Sequence, residues 1–476
     1  MRVRSVAVRV VAVSLLLHPL ALADVGASVA DLVAGATGEQ CATLRAGQRI
    51  RQAVGLSLQT TPCTFLAGLT SANQAPNTLA NKPVLSRDGS LLVFVSGATN
   101  MVPGITSGRN HIWVRDIPAG TTALVSRAFD GAEANLSSGF PGLSGDGRFA
   151  SFQTQSWNIL PPAVPAILND TYVRDLVTDT IERGSITPGG DPDFGTQGVL
   201  NEDGRFLAYN SGGNGGQVYV RDRTLGVTTV ASVQTGGAPA NDGSNTPSIN
   251  DDGRHVAFQS SAVNLVFGDG NAHTDIFAHD RETVTTTLLS VGAFGVQANA
   301  ECANPSISGD GRYVVYESKA TNLVPTVTVP ANTSQIYLRD RDVDGNGAFD
   351  EAGAASATRI VSANEMGEPA DADATLPVIS DDGRFVAFSS GATNLVAGDG
   401  NHTVDVFVVE LATGAVTRAN VTSAGAEVTS FSGASTLSIS GDGRFVAFNA
   451  SASALSPLAS GNSVVYVRDR DLTEGL

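Results

Sequence analysis

Pro377-Val378-Ile379-Ser380-Asp381-Asp382-Gly383-Arg384-Phe385-Val386-Ala387-Phe388 decides the fold. It reads as a short apolar strand opened by a proline, then an Asp-Gly turn of the kind that needs positive φ. An unbroken apolar strand follows, as expected where both faces are covered. The same turn returns at Asp88-Gly89, Asp146-Gly147, Asp203-Gly204, Asp252-Gly253, Asp310-Gly311 and Asp442-Gly443, in copies 49 to 72 residues apart. Self-similarity at such a period marks a repeat architecture and excludes one core spread over all 476 residues.

Beyond Phe388 the copy continues with a polar loop over residues 389–404. A third strand, Asp405-Val406-Phe407-Val408-Val409, is followed by the Thr413-Gly414 turn and a fourth strand at Ala415-Val416-Thr417-Arg418. Four antiparallel strands, A to D, with turn signals between them make a propeller blade. Seven copies predict an all-β fold, a seven-bladed β-propeller over residues 61–476. The seventh copy has a strand C, Val465-Tyr466-Val467, but no strand D before Leu476. Thr64-Phe65-Leu66-Ala67-Gly68-Leu69-Thr70 stands before Ser71 to Pro76 much as Thr229-Val230-Ala231-Ser232-Val233 stands before Gln234 to Ala240. The N-terminal strand is therefore expected to complete the last blade and leave no free sheet edge. A–B and C–D turns fall on one face of such a ring. The longer, more variable B–C and D–A loops fall on the other, where a protein or carbohydrate ligand is expected.

Arg2, Arg4 and Arg9, the apolar run over residues 10–22 and the small-x-small Ala21-Leu22-Ala23 read as a secretory signal peptide, residues 1–23. The run is too short for a membrane span, so an exported chain, periplasmic or secreted and without a transmembrane segment, is expected. Residues 24–60 form a leader, helix-prone around residues 27–34 and 45–54. With 29 Lys and Arg against 46 Asp and Glu, a formal charge of −17, the chain should repel nucleic acid and anionic lipid. The three cysteines are Cys41, Cys63 and Cys302. In an oxidising compartment Cys41 and Cys63 are the pair closest in sequence, and no Cys/His spacing suggests zinc.

Pro305-Ser306-Ile307-Ser308-Gly309-Asp310-Gly311-Arg312-Tyr313-Val314-Val315-Tyr316 resembles the WD40-like repeat of TolB-type propellers, and all seven copies match it over roughly residues 64–470. The resemblance implies a propeller and, as in TolB itself, a periplasmic scaffold. TolB carries an α/β domain ahead of its propeller, and residues 24–60 are too few to supply one.

Asp340-Arg341-Asp342-Val343-Asp344-Gly345-Asn346-Gly347-Ala348-Phe349-Asp350-Glu351 fits the twelve-residue calcium loop. Asp340, Asp342 and Asp344 offer hard oxygens at alternate positions, Gly345 allows the bend, and Asn346, Asp350 and Glu351 close the set. Ca²⁺ there would stiffen a long C–D hairpin. The alternative is an acidic Gly-rich turn without metal. Asp269, Asn271 and Asp275 recur as Asp399, Asn401 and Asp405. They read as turn-stabilising groups before cation ligands, because the carboxylates are too few for a full Ca²⁺ shell. Arg148 with Asp175 and Arg312 with Asp340 are expected as cross-strand pairs. Catalysis has little support: no Gly-x-Ser-x-Gly occurs, and His273 and His402 occupy loop positions one residue out of step. A binding module is expected. A polysaccharide lyase or hydrolase at the central funnel is the competing reading, and it needs His and carboxylates to converge there.

Overall fold

The computed structural model describes residues 62–161, 169–212, 216–351, 357–428, 434–451, 455, 456, 458 and 461–470. The signal peptide, the leader and Cys41 lie outside the described residues, and the proposed Cys41–Cys63 bond with them. Seven four-stranded antiparallel sheets follow one another along the chain. With strands in the order A to D, blade one is Ala80–Leu85, Leu91–Ser96, His111–Asp116 and Thr121–Leu124, and blade two is Ser138–Leu143, Phe149–Thr154, Asp170–Asp175 and Ile181–Arg183. Blade three is Thr196–Leu200, Phe206–Asn210, Val218–Asp222 and Val227–Val230; blade four is Ser244–Ile249, His255–Ser260, Asp275–Asp280 and Thr285–Leu288. Blade five is Cys302–Ile307, Tyr313–Ser318, Gln335–Asp340 and Ala357–Ile360; blade six is Ala374–Ile379, Phe385–Ser390, Asp405–Glu410 and Val416–Arg418. Blade seven is Leu437–Ile439, Phe445–Ala450, Val464–Asp469 and, as its fourth strand, Cys63–Leu66.

The clasp forms as expected, and its register sets Cys63 opposite Asp469, Phe65 opposite Val467 and Leu66 opposite Tyr466. Its two faces feed two different interfaces. Phe65 joins Phe94, Trp113, Val465 and Val467 between blades seven and one, while Leu66 joins Phe385, Val408, Phe448 and Tyr466 between blades six and seven. Each of the seven blade interfaces holds one such apolar cluster, which is why strands B and C are apolar on both faces.

The repeated turn explains itself in blade two. Ser144 Oγ donates to Asp146 Oδ1 at 2.5 Å and accepts the Phe149 amide at 2.9 Å, and the same Asp146 oxygen accepts the Arg148 amide. The turn glycines then make the joint to the preceding blade. Gly89 lies against Phe445, Gly147 against Leu91, Gly204 against Phe149 and Gly253 against Phe206; Gly311, Gly383 and Gly443 continue the series against His255, Tyr313 and Phe385. The expected cross-strand pairs form, Arg148 with Asp175 at 2.7 Å and Arg312 with Asp340 at 2.8 Å, and Arg205–Asp222, Arg254–Asp280 and Arg444–Asp469 repeat them.

Strand A differs from the sequence reading. In blade six it starts at Ala374, so Pro377 sits inside the strand and does not open it. The ladder slips between Thr375 and Val378, and that bulge is where a residue without an N–H costs no hydrogen bond.

Candidate functional site

Strands A line the axis of the ring, and their bulges shape a cavity of about 400 Å³ there. Six non-glycine residues at the bulges have left-handed backbone, with φ between 48° and 58°: Lys82, Phe140, Gln197, Thr246, Asn304 and Leu376. All six line the cavity. Such backbone costs of order 1–3 kcal/mol per residue and persists only where the surroundings enforce it. Here it presents one variable side chain to the axis from each of blades one to six. Lys82 Nζ stands 3.6 Å from the centre of the Phe140 ring, and burial lowers its pKa. Polar groups near the wall satisfy one another. Glu317 accepts from Asn304 Nδ2 and the Leu376 amide, both at 2.9 Å, and Gln259 Oε1 accepts the Asn304 amide. Burial raises the Glu317 carboxyl.

Toward the A–B turns, strands A end in a belt of hydrogen bonds around the axis. Arg87 N donates to Gly145 O, Asp146 N to Glu202 O, Asn201 Nδ2 to Asp251 O and Asp251 N to Gly309 O. Gly309 N, Asp382 N and Gly441 N donate in turn to the carbonyls of Asp381, Gly441 and Arg87, so the last link returns to the first. The residue before each Asp-Gly pair faces this mouth, in the order Arg87, Gly145, Glu202, Asp251, Gly309, Asp381, Gly441. Carboxylate oxygens of Glu202, Asp251 and Asp381 lie within 4.8 Å of one another. Arg87 sits among them, with Nη1 2.6 Å from Asp251 Oδ2 and 3.4 Å from Glu202 Oε2, and Nε 3.7 Å from Asp381 Oδ2. The three glycines leave room for these side chains: a Cβ on Gly145 would meet Glu202 Oε2 at 1.7 Å.

Burial pushes the Asp381 carboxyl up to about 7; the Asp251 charge adds to this, Arg87 opposes it, and Glu202 and Asp382 add again. An acid whose pKa rises on folding binds its proton more tightly in the native state. Its penalty therefore grows as pH rises from about 4, the ordinary carboxylate value, to about 7. Asp381→Asn removes that slope. It is expected to raise the melting temperature at pH 8 and leave it nearly unchanged at pH 4. Equal pH slopes for variant and wild type would refute this.

The loop at residues 340–351 brings only part of its predicted set together. Asp342 accepts the amides of Asn346 and Gly347 at 3.0 and 2.9 Å, and Asn346 Nδ2 donates to Asp344 and Glu351. Asp340 is held by Arg312 through both oxygens, and Asp350 by buried Arg341 at 2.8 Å. Asp399 and Asp405, from the second predicted recurrence, meet Glu427 around Arg418, at 3.1, 3.3 and 2.6 Å. Among the described residues the histidines do not converge: none of them lines the cavity, and His273 pairs with Glu301 on the loop face. Sequence reading missed the Arg87 mouth. Its signal was the most variable position inside a Ser/Asn-x-Asp-Gly frame, which opens on Ser in five copies and on Asn201 and Asn250 in the other two.

Compared by sequence, the chain matches no defined protein family and no curated protein. Among the described residues no helix is long and apolar enough to cross a membrane. Solved structures similar to it include the oligogalacturonate lyase of Vibrio parahaemolyticus, at 12% identity over 86% of this chain and 97% of that one, with a TM-score of 0.50. The β-propeller domain of the Trilobed protease from Pyrococcus furiosus matches at 11% identity over 84% and 100%, with a TM-score of 0.49. TolB from Acinetobacter baumannii matches at 17% identity over 64% and 67%, with a TM-score of 0.35. At these identities the likeness is one of fold, and the fold is a seven-bladed β-propeller whose neighbours include TolB proteins.

Proposed function

We propose that this protein is an exported, non-enzymatic binding module that seats a protein segment or carbohydrate on the B–C/D–A loop face, over the cavity mouth. The supporting observation is where the exposed aromatics lie. Phe129, Trp157, Phe194, Phe267 and Phe294 all stand on loops of that face, and Phe140 stands at the cavity itself. Exposed apolar groups gathered on one side mark an interaction surface. Trp157→Ala/Phe267→Ala/Phe294→Ala should leave the melting temperature within a few degrees, since none of the three side chains is buried. The same variant should lose capture of the partner from the native envelope extract. Undiminished capture would refute the reading. So would turnover of oligogalacturonate by wild type, the outcome expected of a lyase.

Ca²⁺ on the loop at residues 340–351 is part of the same proposal. The donors are hard oxygens, as Ca²⁺ prefers. Asp342, Asp344, Asn346 and Glu351 would hold the ion, and the carboxylates of Asp340 and Asp350 would be shared between it and their arginines. Binding to the native state alone stabilises by about 2.7 kcal/mol at a hundredfold excess over Kd. A higher melting temperature in Ca²⁺ than in chelator, lost in Asp344→Asn/Glu351→Gln, is the expected result. Equal melting in both media would contradict it.

A further inference from the structure

The residue at the start of strand C is buried in blades one to six: His111, Asp170, Asp275, Gln335 and Asp405 open the strand, and Gln217 stands just before it. A strand-end residue caps it each time, Ser126, Ser185, Ser232, Ser290, Ser362 and Asn420, and also accepts the next amide of strand C, as Ser290 Oγ does from Ile276 N. The position is a structural joint. What changes from blade to blade is how its charge is balanced. Gln217 and Gln335 carry none. His111 meets Glu133 at 3.4 Å, Asp170 meets Arg183 at 2.9 Å, and Asp405 meets Arg418 at 3.3 Å. Both arginines come from one register position on strand D, opposite Tyr172 and Phe407. In blade four that position, opposite Phe277, is Leu288.

The rest of blade four keeps the loop of blade six. Asn271 Nδ2 donates to Ala298 O as Asn401 Nδ2 does to Val428 O, both at 3.1 Å. Gly270 N donates to Gln297 Oε1 as Gly400 N does to Glu427 Oε1. Asp269 thus takes the place of Asp399, with no arginine between it and Asp275. Asp275 is 0% exposed. Its Oδ1 accepts from Ser290, while Oδ2 and Asp269 Oδ1 are both buried without a hydrogen-bond partner. Burial pushes the Asp275 carboxyl up to about 6, with the Asp269 charge adding to the shift and Ser290, Asn271 and His273 opposing it. In blade six the Arg418 guanidinium balances the corresponding carboxylates, whereas in blade four Leu288 stands at its register position, so the buried Asp269 and Asp275 lack that positive charge.

We propose that blade four binds a hard divalent cation of the Ca²⁺ class between Asp269 and Asp275, with water filling the positions that the two carboxylates leave open. The site is independent of the loop at residues 340–351. Its test therefore uses Asp344→Asn/Glu351→Gln as background, with bound Ca²⁺ counted by elemental analysis after dialysis. One equivalent is expected in that background and none once Leu288→Arg supplies the arginine of blade six. No calcium in the background, or one equivalent that persists with Leu288→Arg, overturns the proposal. Should Leu288→Arg fail to fold, Asp269→Asn, which leaves strand D intact, decides by titration with Ca²⁺. At least a tenfold weaker affinity supports the site, and an unchanged affinity overturns it. Failure of the loop proposal would appear separately, as wild type binding no more calcium than the background.

Discussion

Phe65→Ala lowers stability by about 3–5 kcal/mol and Leu66→Ala by about 2–5 kcal/mol, as expected for large apolar side chains truncated in a packed interior. Neither site has room for a softer outcome. Phe65 is 2% and Leu66 3% exposed, and they lie in the clusters on opposite sides of blade seven. The chain has 399 residues between Leu66 and Tyr466, so closing this pair removes the largest loop in the fold. Combined, the two changes should also uncover the outer edge of Val464–Asp469, an apolar strand left with unpaired amides and carbonyls. Such an edge invites pairing with other copies. The double variant is therefore expected to aggregate on heating where wild type melts cleanly, read by light scattering alongside circular dichroism. A double variant that melts within a few degrees of wild type without scattering would mean that the first strand is decoration.

Gly204→Ala is expected to cost about 3 kcal/mol or more, and Gly414→Ala only about 1 kcal/mol, although the two backbones are alike. Gly204 has φ of 67° and Gly414 of 75°, both in the left-handed region where a Cβ costs roughly 1–2 kcal/mol. The difference lies in what the new methyl meets. At Gly414 nothing lies within 4 Å, whereas at Gly204 the Cβ would lie 2.3 Å from Phe149 Cδ2 and 2.9 Å from its Cγ. Phe149 is confined by neighbours of its own, with the Arg148 and Arg223 guanidiniums 4.9 and 4.2 Å from its ring centre. Overpacking a site of this kind typically adds 1–3 kcal/mol. Chemical denaturation of both variants measures the gap. Equal destabilisation would show that the Asp-Gly glycine serves the turn alone and not the joint between blades.

Much of this was legible because the chain states it seven times. Repetition identified the blades, the Arg–Asp pairs and the borrowed strand, each from local patterns that a propeller must reuse. Two kinds of feature escaped. Pro377 looked like a strand opener because a proline removes a ladder donor, yet the slip between Thr375 and Val378 absorbs that loss inside strand A. The Arg87 mouth escaped for a different reason: Glu202, Asp251 and Asp381 are far apart in sequence and meet only because the ring brings equivalent turns to one axis. The loop at residues 340–351 shows the converse. Its spacing was plain, but that Arg341 reaches Asp350 while Arg312 takes Asp340 depends on which side chains the hairpin buries. For the Arg87 mouth and for the carboxylate pair of blade four the useful signal was departure from the repeat: Arg87 where other turns carry an acid or glycine, and Leu288 where blade six carries Arg418.

Hydrogen exchange on the protein reports on ring closure amide by amide. Phe65 and Leu66 stand opposite Val467 and Tyr466, and the Ala67 amide donates to Val465 O at 2.9 Å. In a closed propeller, residues 63–67 should exchange as slowly as Val464–Asp469 and be released in the same opening event, because each protects the other. Rapid exchange over residues 63–67 beside a protected Val464–Asp469 would contradict the closed ring, and the proposed placement of a ligand on the B–C/D–A loop face would fall with it.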